Sequence, residues 1–508
     1  MCSVNLEREL KRHFGFATFK MGQKNIVQDI MDGNDVFGIL PTGTGKSLCY
    51  QLPAKLLEGL TVVVTPLVSL MMDQVKQLQA MHYKSCAAIN SFVSWKEKQE
   101  IYRNLHQLDL VYVSPELLQQ QEAKYYFSQV KIALFVIDEA HCISQWGHEF
   151  RTDYLKLGEV ASQLGNPQIL ALSATAAPEA VEEIIQVLNK PQMKRHIYPM
   201  DRENIGLVIE KTVSDQEKLE KLTHWLEKDF GSSLIYFSSR NTCEEISRKL
   251  VAHFPNRRIA FYHGGMDQTD RILVQQQFMN GQLDFICCTS AFGMGINKSD
   301  IRLVLHYHFP SDIESFIQEI GRAGRDGKES ISVLLYSEQD IHLQSQLLQN
   351  ELPDVRAVEN IVRIVSQLHA TKQLDIGLGP EFYNLFQLTE TQWRFLYYQF
   401  EKHGMIKDNR IIFDQIQFKK ATEKIIDHIE IRLRHKEAKL GEMLSWLHES
   451  SCLRMSLYKH FQPTYTIPET NCCVNCGLDL TKIDKRNTQE GALFENWEEQ
   501  LQQLLFGV

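Results

Sequence analysis

DVFGILPTGTGKSLCYQLPAKLL, residues 35 to 57, passes from an apolar β-like run through a glycine-bearing turn into a helical pattern. Such a loop aims backbone N–H groups inward at a helix start, where they and the helix dipole cradle phosphate. In it Thr42, Gly43, Thr44 and Gly45 form the cradle, Lys46 reaches the β- and γ-phosphates, and the Ser47 hydroxyl takes Mg²⁺. The strict pattern opens on glycine, and this chain has Leu40 there. FVIDEAH, Phe135 to His141, is the second half. Two adjacent carboxylates at the end of a buried strand are costly without a cation. Asp138 is therefore expected to hold Mg²⁺, and Glu139 to act as base on the attacking water. An acidic pair at a strand end is commonly only a solvated loop, but a P-loop on the same sheet argues against that reading. Together the two stretches predict ATP hydrolysis.

The same rhythm continues outward. TVVVTP, LDLVYVS, IALFVIDEA and QILALSAT each end on small or polar residues before a helical pattern, and SSLIYFSS, RRIAFYHG, DFICCTS, IRLVLHYHF and SISVLLYS repeat it. Near-continuous apolar runs alternating with helices predict two successive α/β lobes, residues 1–205 and 206–350, each a parallel sheet covered on both faces. Past residue 350 the pattern becomes mainly helical.

A chain of 508 residues, 44% apolar, can build three or four domains with proper cores. No run approaches the 18 apolar residues of a membrane span, and the N-terminus MCSVNLERELKRHFGF carries charges where a signal peptide needs an apolar core. A cytoplasmic location and no membrane partner are expected. Seven of eleven cysteines are scattered (Cys2, Cys49, Cys86, Cys142, Cys243, Cys287, Cys288), while Cys452, Cys472, Cys473 and Cys476 crowd together, which suggests a metal rather than disulfides. The net charge of −9 neither suggests nor excludes nucleic acid, because a motor grips phosphates through a local basic track.

Further motifs narrow the class. SATA (173–176) ends another strand of the first lobe; TSAFGMGINK (289–298) and QEIGRAGRDG (318–327) belong to the second. The spacing of Gln318, Arg322 and Arg325 puts them on one helix face or its end. Arginines there can reach across a cleft to the γ-phosphate, and a site split between lobes ties hydrolysis to lobe closure.

With LKRHFGFATFKMGQ (10–23), AHCISQWGHEFRTDY (140–154) and the cysteine cluster added, the chain resembles superfamily 2 helicases of the RecQ family, in a short, RecS-like bacterial form. The resemblance implies two tandem RecA-like lobes, with Gln23 on the adenine edge and Phe14 and Phe19 as its apolar seat. It implies 3′-to-5′ DNA unwinding in repair or recombination by a nucleoid-associated monomer. The expected partners are single-stranded and tailed or forked duplex DNA, with a single-strand-binding protein as a further candidate. It also implies that the aromatic segment after the acidic box couples DNA binding to hydrolysis. Trp146 and Phe150 offer flat faces for unpaired bases, a contact worth about 1–3 kcal/mol per base, and Arg151 can bridge phosphate or carboxylate. The bland alternative is a core tryptophan under a loop. TPLVSLMMDQ, VSPELL, FSSRNTCEE and YHGG match the family's backbone-gripping motifs, although each alone reads equally well as cap chemistry.

In the family's zinc pattern Cys452, Cys473 and Cys476 find their places, while the usual last cysteine falls at Asp479. Zn²⁺ accepts a carboxylate, so Asp479 is one candidate for the fourth position. Cys472 is the other, though adjacent residues rarely both face one ion. The metal's role would be structural. Residues 351–415 read as an insertion of helix, capped helix (Thr389 or Thr391 at the cap) and a turn at Asp408–Asn409. That order suggests a winged-helix-like module, with a helical spacer as the alternative. The family usually places its winged helix after the zinc site, where this chain keeps only 29 residues (508 minus 479). Residues 416–485 are expected to form a helical hairpin and zinc module. Residues 486–508 should form an amphipathic helix through Leu493, Phe494, Trp497, Leu501, Leu504 and Leu505 that packs on the body or binds a partner. Two competing functions stay open: an RNA helicase, and a DNA-stimulated ATPase that remodels protein–DNA complexes without unwinding.

Overall fold

The computed structural model describes residues 5–480 except 67, 145–151, 176, 294–297, 371–374, 408, 413, 463–467 and 469–471. The expectations for Trp146, Phe150 and Arg151 and for the helix at 486–508 lie outside the described residues.

Both lobes form as parallel sheets. The first has strands β1 (Val36–Ile39), β2 (Leu60–Val64), β3 (Cys86–Ile89), β4 (Leu110–Val113), β5 (Ile132–Ile137), β6 (Gln168–Ser173) and β7 (Lys194–Ile197), in the order β3-β4-β2-β5-β6-β1-β7. The second has β8 (Ile205–Lys211), β9 (Ser232–Tyr236), β10 (Ile259–Tyr262), β11 (Phe285–Cys288), β12 (Ile301–His306) and β13 (Ser330–Tyr336), in the order β10-β11-β9-β12-β13-β8. The central strands β1, β2, β4, β12 and β13 are buried along their whole length, as strands covered on both faces must be. β6, which ends in Ser173, lies between β1 and β5. The P-loop and the acidic box therefore leave the same edge of the sheet one strand apart.

The insertion has its own core, built on Val358, Ile361, Trp393, Leu396, Phe400, Ile406 and Ile411. Its elements run helix Val355–Ala370, a single bridge between Asp375 and Arg410, helices Pro380–Leu385 and Glu390–Lys402, and the hairpin β14 (Ile406–Lys407) and β15 (Arg410–Ile411). Thr389, not Thr391, is the cap: its hydroxyl accepts from Gln392 N (3.2 Å), and the Gln392 side chain accepts from Thr389 N (3.0 Å). At the hairpin turn Asn409 takes a left-handed φ of 62°, which asparagine tolerates better than most residues.

A helix of 33 residues, Gln415–Leu447, runs unbroken across the boundary expected at 415/416. Phe418, Ala421, Ile425 and Ile429 complete the core of the insertion, while Leu440, Met443, Trp446 and Leu447 join the core shared with the lobes. Its far half is tied to the second lobe by Lys439–Glu314 (3.0 Å) and by Trp446 packed on Phe316. The insertion also touches the first lobe. Lys156 pairs with Glu401 at 2.6 Å, and Tyr398 packs against the lobe core. No helix among the described residues is long and apolar enough to cross a membrane.

Candidate active site

The P-loop follows β1 and leads into the helix Leu48–Leu56. Gly43 and Gly45 sit at φ 83° and 76°, conformations that a side chain would strain. Gln23 is buried behind them. Its amide donates to Thr44 O (2.8 Å) and Gly45 O (2.9 Å), and its carbonyl accepts from Lys20 N (2.8 Å). The residue expected on the adenine edge thus braces the loop from behind. Ser47 opens the helix without a side-chain cap bond.

Lys46 Nζ lies 3.7 Å from Glu139 Oε1, so the two sequence motifs meet. Glu139 adopts φ 52°, a left-handed conformation rare for a residue with a side chain and typical of functional turns. Burial and the Glu139 carboxylate push the Asp138 carboxyl up to about 6, against the pull of Lys46. Glu139 goes the other way. Burial raises it, but Lys46, His141, Arg322 and Arg325 outweigh burial and hold it below the usual carboxylate range. The pair is thereby split into an anion facing the cations and a group that strongly favours a counter-ion.

The second lobe supplies the opposite wall. Gln318 lies on the helix Ile313–Ile320, and Arg322 and Arg325 lie in the turn beyond its C-cap Gly321. Gln318 Nε2 is 3.5 Å from His141 Nε2, and His141 Nδ1 is 3.0 Å from Ser173 Oγ and 3.4 Å from Glu139 Oε2. Burial pulls the His141 pKa down, favouring a neutral ring that links acidic box, SAT strand and second lobe. Arg322 donates to Gly293 O. Thr42 Oγ1 donates to Gly321 O at 2.5 Å, directly joining the P-loop to the arginine turn. His141 belongs to FVIDEAH and could have been named from the motif. Arg202, whose guanidinium donates to Thr42 O (3.1 Å), lies in the connection between the lobes and carried no motif signal.

The cysteine cluster assembles as one group. Ligand atoms of Cys452, Cys472, Cys473 and Cys476 all lie within 4.8 Å of one another, with Cys452–Cys472 at 3.5 Å and Cys473–Cys476 at 3.4 Å between sulfurs. A disulfide would be about 2.05 Å, whereas a tetrahedron with Zn–S near 2.3 Å has edges of about 3.8 Å. The donor set fits zinc. Of the two candidates for the fourth position, Cys472 joins the group and Asp479 does not. Backbone pairing of residues 472–473 with Leu207 holds the two adjacent cysteines at the cluster. The turn then ends at left-handed Gly477, before Asp479 is reached.

A DEAD/DEAH box helicase model matches residues 20–184, and a helicase conserved C-terminal domain model matches residues 217–327. The chain is similar to Mycobacterium smegmatis helicase Lhr bound to ssDNA and AMP-PNP, with TM-score 0.56 and 21% identity over 68% of this chain and 49% of that one. It is also similar to Saccharomyces cerevisiae Dbp5 bound to RNA and ADP BeF3, with TM-score 0.55 and 16% identity over 68% and 90%. At such identities these matches define the fold, a pair of RecA-like lobes. Over 504 residues, 99% of this chain and 98% of the relative, it is 38% identical to the probable ATP-dependent DNA helicase RecS of Bacillus subtilis. It is 39% identical over 355 residues to ATP-dependent DNA helicase RecQ of Haemophilus influenzae, covering 69% of this chain and only 56% of that longer protein. The chain belongs to the RecQ family of ATP-dependent DNA helicases, in the short form that RecS represents.

Proposed function

We propose that this protein is an ATP-dependent DNA helicase that couples hydrolysis in the cleft between its lobes to 3′-to-5′ movement on single-stranded DNA and duplex unwinding, in repair or recombination. The observation that carries the reading is the convergence of Lys46, Glu139 and His141 from one lobe with Gln318, Arg322 and Arg325 from the other. In this reading Thr42 to Ser47 hold the phosphates, with Gln23 at the base of the nucleotide site. Ser47 and Asp138 hold Mg²⁺, Glu139 polarises the attacking water, and Gln318, Arg322 and Arg325 sense and stabilise the γ-phosphate from the second lobe. Trp146, Phe150 and Arg151 follow the acidic box directly and are proposed to report DNA occupancy to it. Cys452, Cys472, Cys473 and Cys476 are proposed to hold a structural zinc ion.

The test is ATP turnover with single-stranded DNA and RNA side by side, and strand displacement on 3′- and 5′-tailed duplexes, for the parent and Lys46→Ala. The expected result is DNA-stimulated turnover and unwinding of the 3′-tailed duplex only, with Lys46→Ala losing turnover while still binding DNA. RNA-specific stimulation would make it an RNA helicase. Stimulation by DNA without strand displacement would make it a remodelling ATPase.

A further inference from the structure

Residues 198–204, which connect β7 to β8, are gripped from two sides. On one side stands the region that carries the cysteines. Arg454, in the short helix Leu453–Tyr458 that follows Cys452, is buried to 1% exposure. It ion-pairs with Asp201 and donates to Arg202 O (3.1 Å), to Ile205 O and to Cys472 O (3.4 Å). The Gln462 carbonyl accepts from Met200 N (2.9 Å) and Asp201 N (3.4 Å), and Leu207 N donates to Cys472 O (3.2 Å). An arginine buried this deeply is costly unless its donors are used, and here both terminal nitrogens are spent on the connection and on the cluster's own backbone, while Nε finds no partner.

On the other side Arg202 faces the cleft. Its guanidinium donates to Thr42 O in the P-loop (3.1 Å), to Gly321 O (3.4 Å), to Ala323 O (3.3 Å) and to Gly324 O. Three of these carbonyls belong to the turn that carries Arg322 and Arg325. They stand at the C-terminal end of a helix, where a cation is favoured. One planar fork therefore spans both halves of the nucleotide site. The backbone of that fork is anchored by Arg454, two residues beyond the cluster's Cys452.

We infer that Arg202 is a positioning residue that sets the separation of the P-loop from the arginine turn, and that the cysteine-bearing region acts on ATP binding by holding the connection that presents it. Arg202 needs to touch no nucleotide for this. It fixes the cradle that does. The inference rests on the nucleotide site proposed above.

The measurement is steady-state ATP turnover with saturating single-stranded DNA on the full chain, with folding followed by circular dichroism. Loss of charge-assisted bonds on the binding side is expected to raise KM for ATP roughly tenfold in Arg202→Gln, with a much smaller change in kcat. Arg202→Lys, which keeps the charge but not the fork, should fall between. Gln462→Ala, remote from the nucleotide, should shift KM in the same direction by loosening the connection. An unchanged KM in folded Arg202→Gln, or a fall in kcat at unchanged KM, would overturn the positioning role. If that variant does not fold, Arg202→Lys decides by the same criterion. An unchanged KM in Gln462→Ala would overturn the link to the cysteine-bearing region. Lys46→Ala run alongside separates the two levels: turnover surviving there defeats the nucleotide site itself, whereas its loss beside an unaltered Arg202→Gln defeats only this inference.

Discussion

Asp138, the residue proposed to hold Mg²⁺, sits where its charged form is disfavoured. Its carboxyl is lifted by burial and by Glu139 to about 6, against about 3.9 for a free aspartate. Between those values the folded state binds the extra proton, so this residue's contribution to stability falls as pH rises through that window and stays at its least favourable above it. Asp138→Asn removes the charge and keeps the shape. In magnesium-free buffer near neutral pH, thermal melting should therefore show the variant more stable than the parent. The advantage should shrink on acidification from about pH 6 toward about 4 and be gone below it. The same variant should not hydrolyse ATP. A lower melting temperature at neutral pH would mean that the carboxylate is already well compensated by Lys46.

Among the elements, the helix Glu390–Lys402 is the informative one. It is the third helix of the insertion, and it docks on the first lobe through Glu401 and Tyr398. Its partner Lys156 follows the short helix Thr152–Leu155, whose Tyr154 hydroxyl donates to Asp138 O at 3.2 Å. The insertion thus leans on the element that steadies the acidic box. Both charged groups are about 30% exposed, so solvent screens the pair, and its coupling should be modest, about 0.2–1 kcal/mol. A double-mutant cycle of Lys156→Glu and Glu401→Lys, read by thermal unfolding, should show each reversal destabilising and the swap recovering most of the loss. Strict additivity would show that Tyr398 packing alone holds the dock.

For the whole molecule, the cysteine cluster is the joint at which the C-terminal region meets the connection between the lobes. Metal analysis of purified variants is expected to find zinc near one per chain in the parent and in Asp479→Ala, and markedly less in Cys472→Ser. Retention by Cys472→Ser with loss in Asp479→Ala would restore the carboxylate as ligand. Because Cys472 O also accepts from Leu207 N and Arg454, stripping the metal with a chelator should lower the melting temperature of the lobes as well as of the C-terminal region.

The chain alone determined the two lobes, the P-loop, the acidic box and the arginine turn. The reason is physical: strands buried on both faces must be apolar throughout, and phosphate cradles demand glycine and lysine at fixed offsets, so both constraints are written locally. Within the insertion the capped helix and the tight turn were legible as local chemistry, whereas the short helix Pro380–Leu385 and the bridge at Asp375 were not. Tertiary structure decided what depends on distant residues converging. It gathered Cys472, and not Asp479, with the other three cysteines, because backbone pairing with Leu207 sets where residues 472–473 lie. It placed Gln23 behind the P-loop, made one continuous helix of residues 415–447, and brought Arg202 between two half-sites whose contact points, Thr42 and Gly321, lie 279 residues apart in the chain. An arginine in a connecting segment has no local signature, because its meaning lies in the carbonyls it meets, and only the packed lobes bring those together.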